Sequence, residues 1–261
     1  MITSANVAGP GLAPPCRPGI PLVAAIDVEW SKNYRIRGGN VPFCYSVAWL
    51  ALPSGDVTIS PGTVQFWYEA AYVENASQVS DLVDRADAAL ACLMSHATLI
   101  AGHQLCSDLA VLAAAATTHR PAITAAAEAW RQRYQEPARA PRFLDTRYDT
   151  GHIVGCQSRR LVDVCADLRL EVTQPELRGT SMTALHRRWL QVGDDTAREK
   201  ITVLNLRHSL STALVAARAA GLGCWQPGLN VSRLLAAELD GAFGWLKDPV
   251  FTALLGESDA A

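Results

Sequence analysis

Residues 22–30 constrain this chain most, because they form an apolar run that carries two carboxylates two residues apart. A short run rich in valine and isoleucine is typical of a buried β-strand. Side chains alternate faces along a strand, so Asp27 and Glu29 are expected on the same side. Two like charges beside a core are costly unless a cation lies between them, and carboxylate oxygens favour Mg²⁺ or Mn²⁺. The open alternative is that one carboxylate caps the next loop while the other is solvated.

Length and composition favour one α/β domain with elaborations. The chain has 261 residues, of which 49% are hydrophobic, and its net charge of −2 gives no global basic field for nucleic acid. Its seven cysteines include no C-x₂-C pair, so neither a disulfide framework nor a zinc knuckle is indicated, and a reducing cytoplasm is the expected location. No apolar run reaches transmembrane length, so no membrane partner is expected. Proline and glycine in residues 1–20 favour a flexible N-terminal tail rather than a signal peptide.

The order of the elements predicts the fold class. Extended segments at residues 22–30, 41–52 and 57–68 suggest an antiparallel meander. Further strands are expected at 98–101 and 142–146, between and before helical segments at 77–96, 105–118, 121–133, 159–168, 181–191, 197–220 and 231–246. We therefore predict an α/β fold, with a mixed five-stranded sheet covered by helices on both faces. Residues 21–221 would form this domain and 222–261 a helical C-terminal extension.

Two later segments carry further candidate chemistry. Asp108 is predicted in the first turn of a helix that follows a buried strand, where it is either a capping acid or a third metal carboxylate at the end of the sheet. Asn205, His208 and Thr212 fall at i, i+3 and i+7 and give the long helix one polar edge. The imidazole of His208 is suited to deprotonating a water molecule, although a lone helical histidine is often structural.

These segments, in this order, resemble the DEDD family of 3′–5′ exonucleases, in its DnaQ-like, histidine-type branch with an RNase H-like fold. Asp27-x-Glu29 resembles the first motif, residues 102–108 (GHQLCSD) the second, and His208 the third. Residues 144–146 and 158–165 also fit the strand and helix between motifs two and three. The resemblance covers residues 22–221.

The resemblance implies a two-metal phosphodiester hydrolysis that uses Mg²⁺ or Mn²⁺. Asp27 would bridge both ions, Glu29 would hold the ion on the nucleophile side, and Asp108 would bind the one on the leaving-group side. His208 would be the general base toward the attacking water. The implied partners are the 3′ ends of single-stranded or frayed DNA or RNA.

One position departs from the family pattern, since Ala213 stands where the family has its fourth acidic residue, five positions after the histidine. Three explanations stay open. The protein is a naturally inactive relative that binds a partner or nucleic acid, or it borrows a ligand from Thr212, Asp194 or Asp195, or an engineered substitution has replaced aspartate by alanine. The lost charge should weaken binding of the ion pair.

Smaller expectations concern substrate contacts. Trp30 could stack on a terminal base or belong to the core, and Arg35 and Arg37 in a glycine-rich loop could bind phosphates or be ordinary solvated surface. His103 is a candidate substrate contact or a hydrogen-bonded structural residue. Two functions follow: a metal-dependent exonuclease, and a catalytically impaired module that binds nucleic acid or a protein. Pairing with a second copy through the C-terminal region, giving a homodimer, also stays open.

Overall fold

The fold is known from a computed structural model that describes residues 1–9, 11–15, 18–32, 39–53, 58–61, 64–135, 142–239 and 241–256. Its strands, in chain order, are β1 (Ile2–Ala5), β2 (Leu22–Ser31), β3 (Val41–Ala51), β4 (Thr58–Ile59), β5 (Gln65–Tyr72), β6 (Leu99–Gly102), β7 (Arg142–Asp145), β8 (Leu170–Glu171), β9 (Cys224–Trp225) and β10 (Leu229–Asn230). Its α-helices are α1 (Val79–His96), α2 (Leu105–Ala115), α3 (Pro121–Gln132), α4 (Leu161–Asp167), α5 (Met182–Val192), α6 (Asp195–Ala219), α7 (Val231–Glu238) and α8 (Pro249–Thr252).

The main sheet is mixed, which confirms the predicted α/β class. Its strand order is β1-β5-β3-β2-β6-β7, with antiparallel pairing from β1 to β2 and parallel pairing from β2 through β6 to β7. The meander comes first along the chain and the parallel strands follow after α1. β6 pairs with β2 and β7 and not with β5, the strand before it in the chain, because α1 connects β5 to β6.

The predicted strand number is wrong, because the described sheet has six strands rather than five. The additional strand is β1, which pairs antiparallel with the Glu69–Tyr72 end of β5. Residues 2–5 are therefore not the flexible tail that the composition suggested. Ile2 and Thr3 are β-branched, and the proline- and glycine-rich composition begins only after this strand. The backbone N–H of Gly11 donates to Glu69 Oε2 at 2.9 Å and ties the following segment to β5.

The alternation along β2 separates two apolar clusters. Val23 and Ala25 belong to a cluster with α4, α6 and α7, whereas Ala24 and Ile26 belong to one with α1, α2 and α3. Helices thus cover both faces of the sheet, as predicted. Asp27 continues the face of Val23 and Ala25, which is the face that α6 crosses.

The C-terminal part of the chain joins the same core. β10 pairs with β8 and β9 pairs with β4, both in parallel. Trp225, Trp245 and Phe251 are buried in the cluster that contains Val23. In the described part of the chain, no helix has the length and apolar character needed to cross a membrane.

A buried ion pair fastens the segment before α5 to α6. The Arg207 guanidinium lies 2.8 Å from Glu176 Oε1, and neither side chain is exposed to solvent. Arg207 Nη1 also donates to the Thr173 carbonyl oxygen at 3.0 Å, and its guanidinium carbon lies 5.7 Å from the centroid of the Phe251 ring. Glu176 belongs to a 3₁₀ turn, Pro175–Leu177. These contacts hold residues 173–177 against the middle of α6.

This pair predicts a specific pattern of stability. Glu176→Leu should lower the free energy of unfolding by about 3–5 kcal/mol, because it leaves a buried guanidinium without its counter-charge. The double variant Arg207→Met/Glu176→Leu should recover most of that loss, because the buried charge is gone. Glu128→Leu, at an exposed pair with Arg131, is the control and should change the free energy of unfolding by less than about 1 kcal/mol. Urea denaturation measures all three. Equal stability of Glu176→Leu and wild type would contradict the interpretation.

Candidate active site

The centre of the candidate site is a compact group of two carboxylates and one imidazole. One ligand atom each from Asp27, Glu29 and His208 lie within 4.8 Å of one another, in the part of the chain that the structure describes. Asp27 and Glu29 come from the end of β2, and His208 comes from the middle of α6. Both carboxylates face the same imidazole, as expected for side chains two residues apart on a strand.

The imidazole bridges the two carboxylates. His208 Nδ1 lies 3.4 Å from Asp27 Oδ2 and 3.3 Å from Glu29 Oε1. Burial disfavours the imidazolium, but the hydrogen bonds and charges of Asp27 and Glu29 outweigh it and raise the pKa of His208 to about 10. Burial and the charge of Asp27 also raise the pKa of Glu29, against the opposing influence of His208. In the metal-free protein, a protonated His208 is therefore the cation that balances the two carboxylates.

Asn205 is a site residue that the sequence analysis placed on the polar edge of α6 without assigning it a role. Its Nδ2 donates to Asp27 Oδ2 at 2.6 Å, and its Oδ1 accepts from Cys44 Sγ at 3.6 Å. The side chain is fully buried. Its position three residues before His208 was the available signal, because residues at that spacing share a helix face. Asn205 therefore fixes the position of one oxygen of the Asp27 carboxylate.

Asp108 lies in the first turn of α2 and is almost completely buried. Its Oδ2 has no hydrogen-bond partner among the described residues. Desolvation raises its pKa well above the ordinary value, and the charges of Asp27, Glu29 and Asp145 add to that rise. The charges of Asp27 and Glu29 thus influence Asp108, but Asp108 does not belong to the group of Asp27, Glu29 and His208 whose ligand atoms lie within 4.8 Å of one another.

The capping of α2 belongs to another acid, Asp145 at the end of β7. Its Oδ1 and Oδ2 accept from the backbone N–H groups of Gln104 and Leu105, both at 2.9 Å, and the Trp130 indole donates to Oδ2 at 3.1 Å. Asp145 therefore stabilises the helix start, and the capping alternative for Asp108 is not needed. The sequence analysis had seen residues 144–146 only as a strand and missed this role.

The turn between β6 and α2 is tight and requires glycine. A Cβ atom on Gly102 would lie 2.6 Å from the Cβ of Leu105, closer than two such atoms can approach. Gln104 follows in the left-handed region at φ 68°, where it is stabilised by the bond to Asp145. This close approach brings the first turn of α2, and with it Asp108, to the end of the parallel strands.

The donor set fits a hard divalent cation. Asp27, Glu29 and Asp108 offer only carboxylate oxygens, the ligand type that Mg²⁺ and Mn²⁺ favour. The orphaned Oδ2 of buried Asp108 is an acceptor without a donor, an arrangement that proteins generally avoid unless a ligand completes it. The mutual repulsion that raises the pKa values of Glu29 and Asp108 would be relieved by positive charge.

Two of the predicted substitute ligands are elsewhere, which corrects that prediction. Asp194 caps α6 by accepting from the Ala197 N–H at 3.2 Å, and it pairs with Arg188. The Asp195 carboxylate lies 3.0 Å from Arg198, and its side chain is 72% exposed. Both precede His208 by more than a dozen residues, so about 20 Å of helix separates them from the imidazole. The sequence suggested them as ligands because they are acids in a predicted loop. In the structure they lie at the start of α6, too many turns before His208 to reach the imidazole.

Thr212 and Ala213 remain close to His208 along α6. Both are fully buried, and Ala213 belongs to the apolar cluster of Val23 and Ala25. The Thr212 hydroxyl has no hydrogen-bond partner among the described residues. Thr212 is therefore the one of the three predicted substitutes that the fold leaves near the site with an unused polar atom.

The predicted substrate contacts have mixed outcomes. Trp30 is half-buried and packs against the cluster of Ala24 and Ile26, so its ring contributes to the core. Arg35 and Arg37 lie outside the described residues. His103 Nδ1 is 2.9 Å from Thr146 Oγ1, and burial lowers the pKa of His103 to about 4, so the ring is neutral at physiological pH. This hydrogen bond supports the structural interpretation of His103.

Comparison of the chain with protein-family models and with curated proteins gives no match. A family assignment therefore depends on the fold and on the geometry of the site.

We expect the buried carboxylate of Asp108 to lower the stability of the metal-free protein, although the same carboxylate is the proposed metal ligand. Asp108→Asn should raise the melting temperature in EDTA at neutral pH, because it removes a buried carboxylate that lacks a partner. With a folded-state pKa above the unfolded value, Asp108 costs no stability below about pH 4 and increasingly more as the pH rises. The advantage of the variant should therefore be larger at pH 8 than at pH 5.

Thermal unfolding at both pH values, with and without Mn²⁺, measures this. Mn²⁺ should raise the melting temperature of wild type more than that of the variant, since the variant lacks a ligand. Asp81→Asn, an exposed acid in the first turn of α1, is the matched control and should show neither effect. A less stable Asp108→Asn in EDTA would refute the prediction.

Proposed function

We propose that the chain is a metal-dependent 3′–5′ exonuclease of the DEDD lineage, in the histidine-type branch with an RNase H-like fold. The observation that carries the proposal is the convergence of Asp27, Glu29 and His208 within 4.8 Å, from β2 and α6. His208 lies 181 positions after Asp27 and 179 after Glu29, so proximity in sequence does not explain why the imidazole meets the two carboxylates. They are the same residues, in the same order, that carry the resemblance.

The sheet topology supports the lineage. A meander of β2, β3 and β5 followed by β6 and β7 parallel to β2 is the arrangement expected from the RNase H-like resemblance. The carboxylates of β2 and the start of α2 then lie at the same end of the parallel strands, where α/β sheets commonly place their sites. β1 adds an edge strand on the far side of β5 without reaching the site.

The acidic residues would hold the ions, and His208 would handle the proton. Asp27, Glu29 and Asp108 supply the ligands for two Mg²⁺ or Mn²⁺ ions, the second of which lacks a carboxylate at Ala213. When bound, such ions lower the pKa of water and neutralise charge that develops on the phosphoryl group. Asp27 and Glu29 hold the His208 proton through their oxygens, so committing those oxygens to cations frees Nδ1 to accept a proton from water.

Arginines beside the site would meet a polyanionic substrate. Arg147 Nη1 donates to the carbonyl oxygen of Arg159 at 3.2 Å, and the Arg147 charge is among the influences on the pKa of neighbouring His103. Phosphate contacts from such side chains position a nucleic acid without reading its sequence. The proposed substrate is accordingly the 3′ end of a single-stranded or frayed strand, with DNA and RNA as separate arms of the test.

The test uses 5′-labelled single-stranded DNA and RNA oligonucleotides with Mg²⁺, Mn²⁺ or EDTA. Wild type should shorten the labelled oligonucleotides stepwise from the 3′ end with either metal and leave them intact in EDTA. Asp27→Asn and Glu29→Gln should lower the rate ~100-fold or more, and His208→Asn should do so without loss of metal-induced stabilisation.

Two controls make this result specific. Asp81→Asn should retain the wild-type rate, because it changes an exposed acid away from the site. A 3′-terminal phosphorothioate linkage should slow the reaction if it starts at the 3′ end. No shortening of either nucleic acid with any metal rules out the exonuclease proposal.

A second function is supported by the site itself. Position 213 carries no carboxylate and lies in an apolar cluster, and Asn205 already occupies Asp27 Oδ2 at 2.6 Å. The first feature leaves the site with less negative charge, and the second engages one oxygen of Asp27, so both weaken the binding of a second cation. They favour an exonuclease-like module that has lost turnover and binds nucleic acid or a protein partner.

Ala213→Asp separates the two functions. If the missing carboxylate disabled the site, the variant should gain ~tenfold or more in exonuclease rate, with tighter Mn²⁺ binding. If the natural set is sufficient, the rate should not rise, and the buried charge should lower the melting temperature in EDTA. Exonuclease rate, Mn²⁺ affinity and thermal unfolding are measured on the same preparation, so loss of folding is recognised directly.

A further inference from the structure

The imidazole of His208 has a second partner that the exonuclease resemblance does not include. Its Nε2 is in hydrogen-bond contact with Nε2 of the Gln174 side chain amide, on the opposite edge of the ring from the carboxylates. Gln174 directly precedes the 3₁₀ turn Pro175–Leu177, between β8 and α5. Both ring nitrogens therefore have polar partners: the two carboxylates of β2 contact Nδ1, and the Gln174 amide contacts Nε2.

We propose that Gln174 is a positioning residue for His208 and fixes the plane of its ring so that Nδ1 faces Asp27 and Glu29. The catalytic part of this inference rests on the proposed exonuclease function. A half-turn of a histidine ring about its Cβ–Cγ bond exchanges Nδ1 with Cδ2 and Nε2 with Cε1, so the partners of the nitrogens determine which orientation is kept. A partner on Nε2 removes that freedom and keeps the proton-accepting nitrogen in place.

The backbone around Gln174 is held by the residue next to His208 on α6. Arg207 Nη1 bonds the carbonyl oxygen of Thr173, one residue before Gln174, and the guanidinium lies 2.8 Å from Glu176, two residues after it. Both Arg207 and Glu176 are completely buried. The same turn of α6 thus carries the imidazole and fastens the segment that supplies its partner, which sets their separation.

A neutral amide suits a ring that changes its protonation state. With Nδ1 as the proton-accepting nitrogen, the neutral ring carries its hydrogen on Nε2. The oxygen of the Gln174 amide then accepts from this N–H in both the neutral and the protonated ring, whereas the amide nitrogen can donate only to the tautomer that is protonated on Nδ1. A carboxylate at this position would add negative charge and favour the protonated ring.

Gln174 should act on His208 alone, because Asp27 and Glu29 face the opposite nitrogen. Removing its amide should lower kcat by about tenfold or more and leave KM and the Mn²⁺ dissociation constant unchanged. A purely structural role would instead change metal binding, KM and stability together. Measuring kcat, KM, Mn²⁺ affinity and stability together therefore distinguishes a positioning role from a structural one.

The experiment compares wild type with Gln174→Met, which keeps the side-chain length without the amide, and Gln174→Glu, which keeps an acceptor at the same reach. Gln191→Met, at an exposed position of α5, is the matched control. The first readout is the ¹⁵N NMR spectrum of the histidine rings in metal-free full-length protein, with the His208 signals assigned by their loss in His208→Asn. The second is kcat and KM on the 5′-labelled oligonucleotides.

We expect Gln174→Met to shift the His208 Nε2 resonance, while Gln174→Glu retains a hydrogen-bonded Nε2 and Gln191→Met matches wild type. An unchanged Nε2 resonance in Gln174→Met overturns the proposal, whatever the activity. A shifted resonance with wild-type kcat also overturns it, since the contact then has no catalytic consequence. Failure of the exonuclease function is recognised separately, as absence of activity in wild type, and the NMR comparison still decides whether Gln174 orients the ring.

Discussion

The balance of charge at the end of β2 is the constraint on which the rest of the structure depends. Asp27 and Glu29 must share one face, so their repulsion cannot be relieved by turning one away. Helix α6 crosses that face and brings Nδ1 of His208 within 3.4 Å of both carboxylates, where a protonated imidazole offsets their repulsion. A helix that delivers an imidazole there has to run through the core, and α6 is accordingly buried along most of its length.

Burying α6 creates a second demand, because several of its core-facing side chains are polar. The fold satisfies most of them by pairing. Asn205 bonds Asp27, Arg207 faces Glu176, and the Ser209 hydroxyl lies 2.9 Å from that of Ser46, which pairs with Asp27 in the sheet. Buried polar groups that are fully partnered hold one arrangement of the core in preference to others. These contacts therefore set the position of His208 relative to β2, and the geometry of the candidate site depends on contacts along the whole of α6.

Local patterns predicted what depends on neighbours in sequence. The apolar run and the two-residue spacing predicted β2 with both carboxylates on one face, and helical periodicity predicted α6 with Asn205 and His208 on one edge. The partners of these groups come from far along the chain. Asn205 bonds Asp27 across 178 residues, Gln174 meets His208 across 34, and Asp145 caps α2 across 40. No periodicity encodes such contacts, and β1 escaped prediction because four residues beside a proline-rich segment carry too little pattern.

The charges of the candidate site bear differently on the proposed exonuclease lineage and on the proposed exonuclease activity. Holding three acids near one another is unfavourable in a metal-free protein, and the buried, unpartnered oxygen of Asp108 has no structural purpose that its surroundings reveal. Such a feature persists where a ligand offsets its cost. Asn205 acts in the opposite direction, because its amide already satisfies one oxygen of Asp27 without adding charge. In the proposed function, alanine at position 213 leaves a site with the negative charge to attract one cation but with less than a fully acidic set offers to two. The number of ions bound, rather than the fold, would then separate the proposed exonuclease from the proposed inactive module.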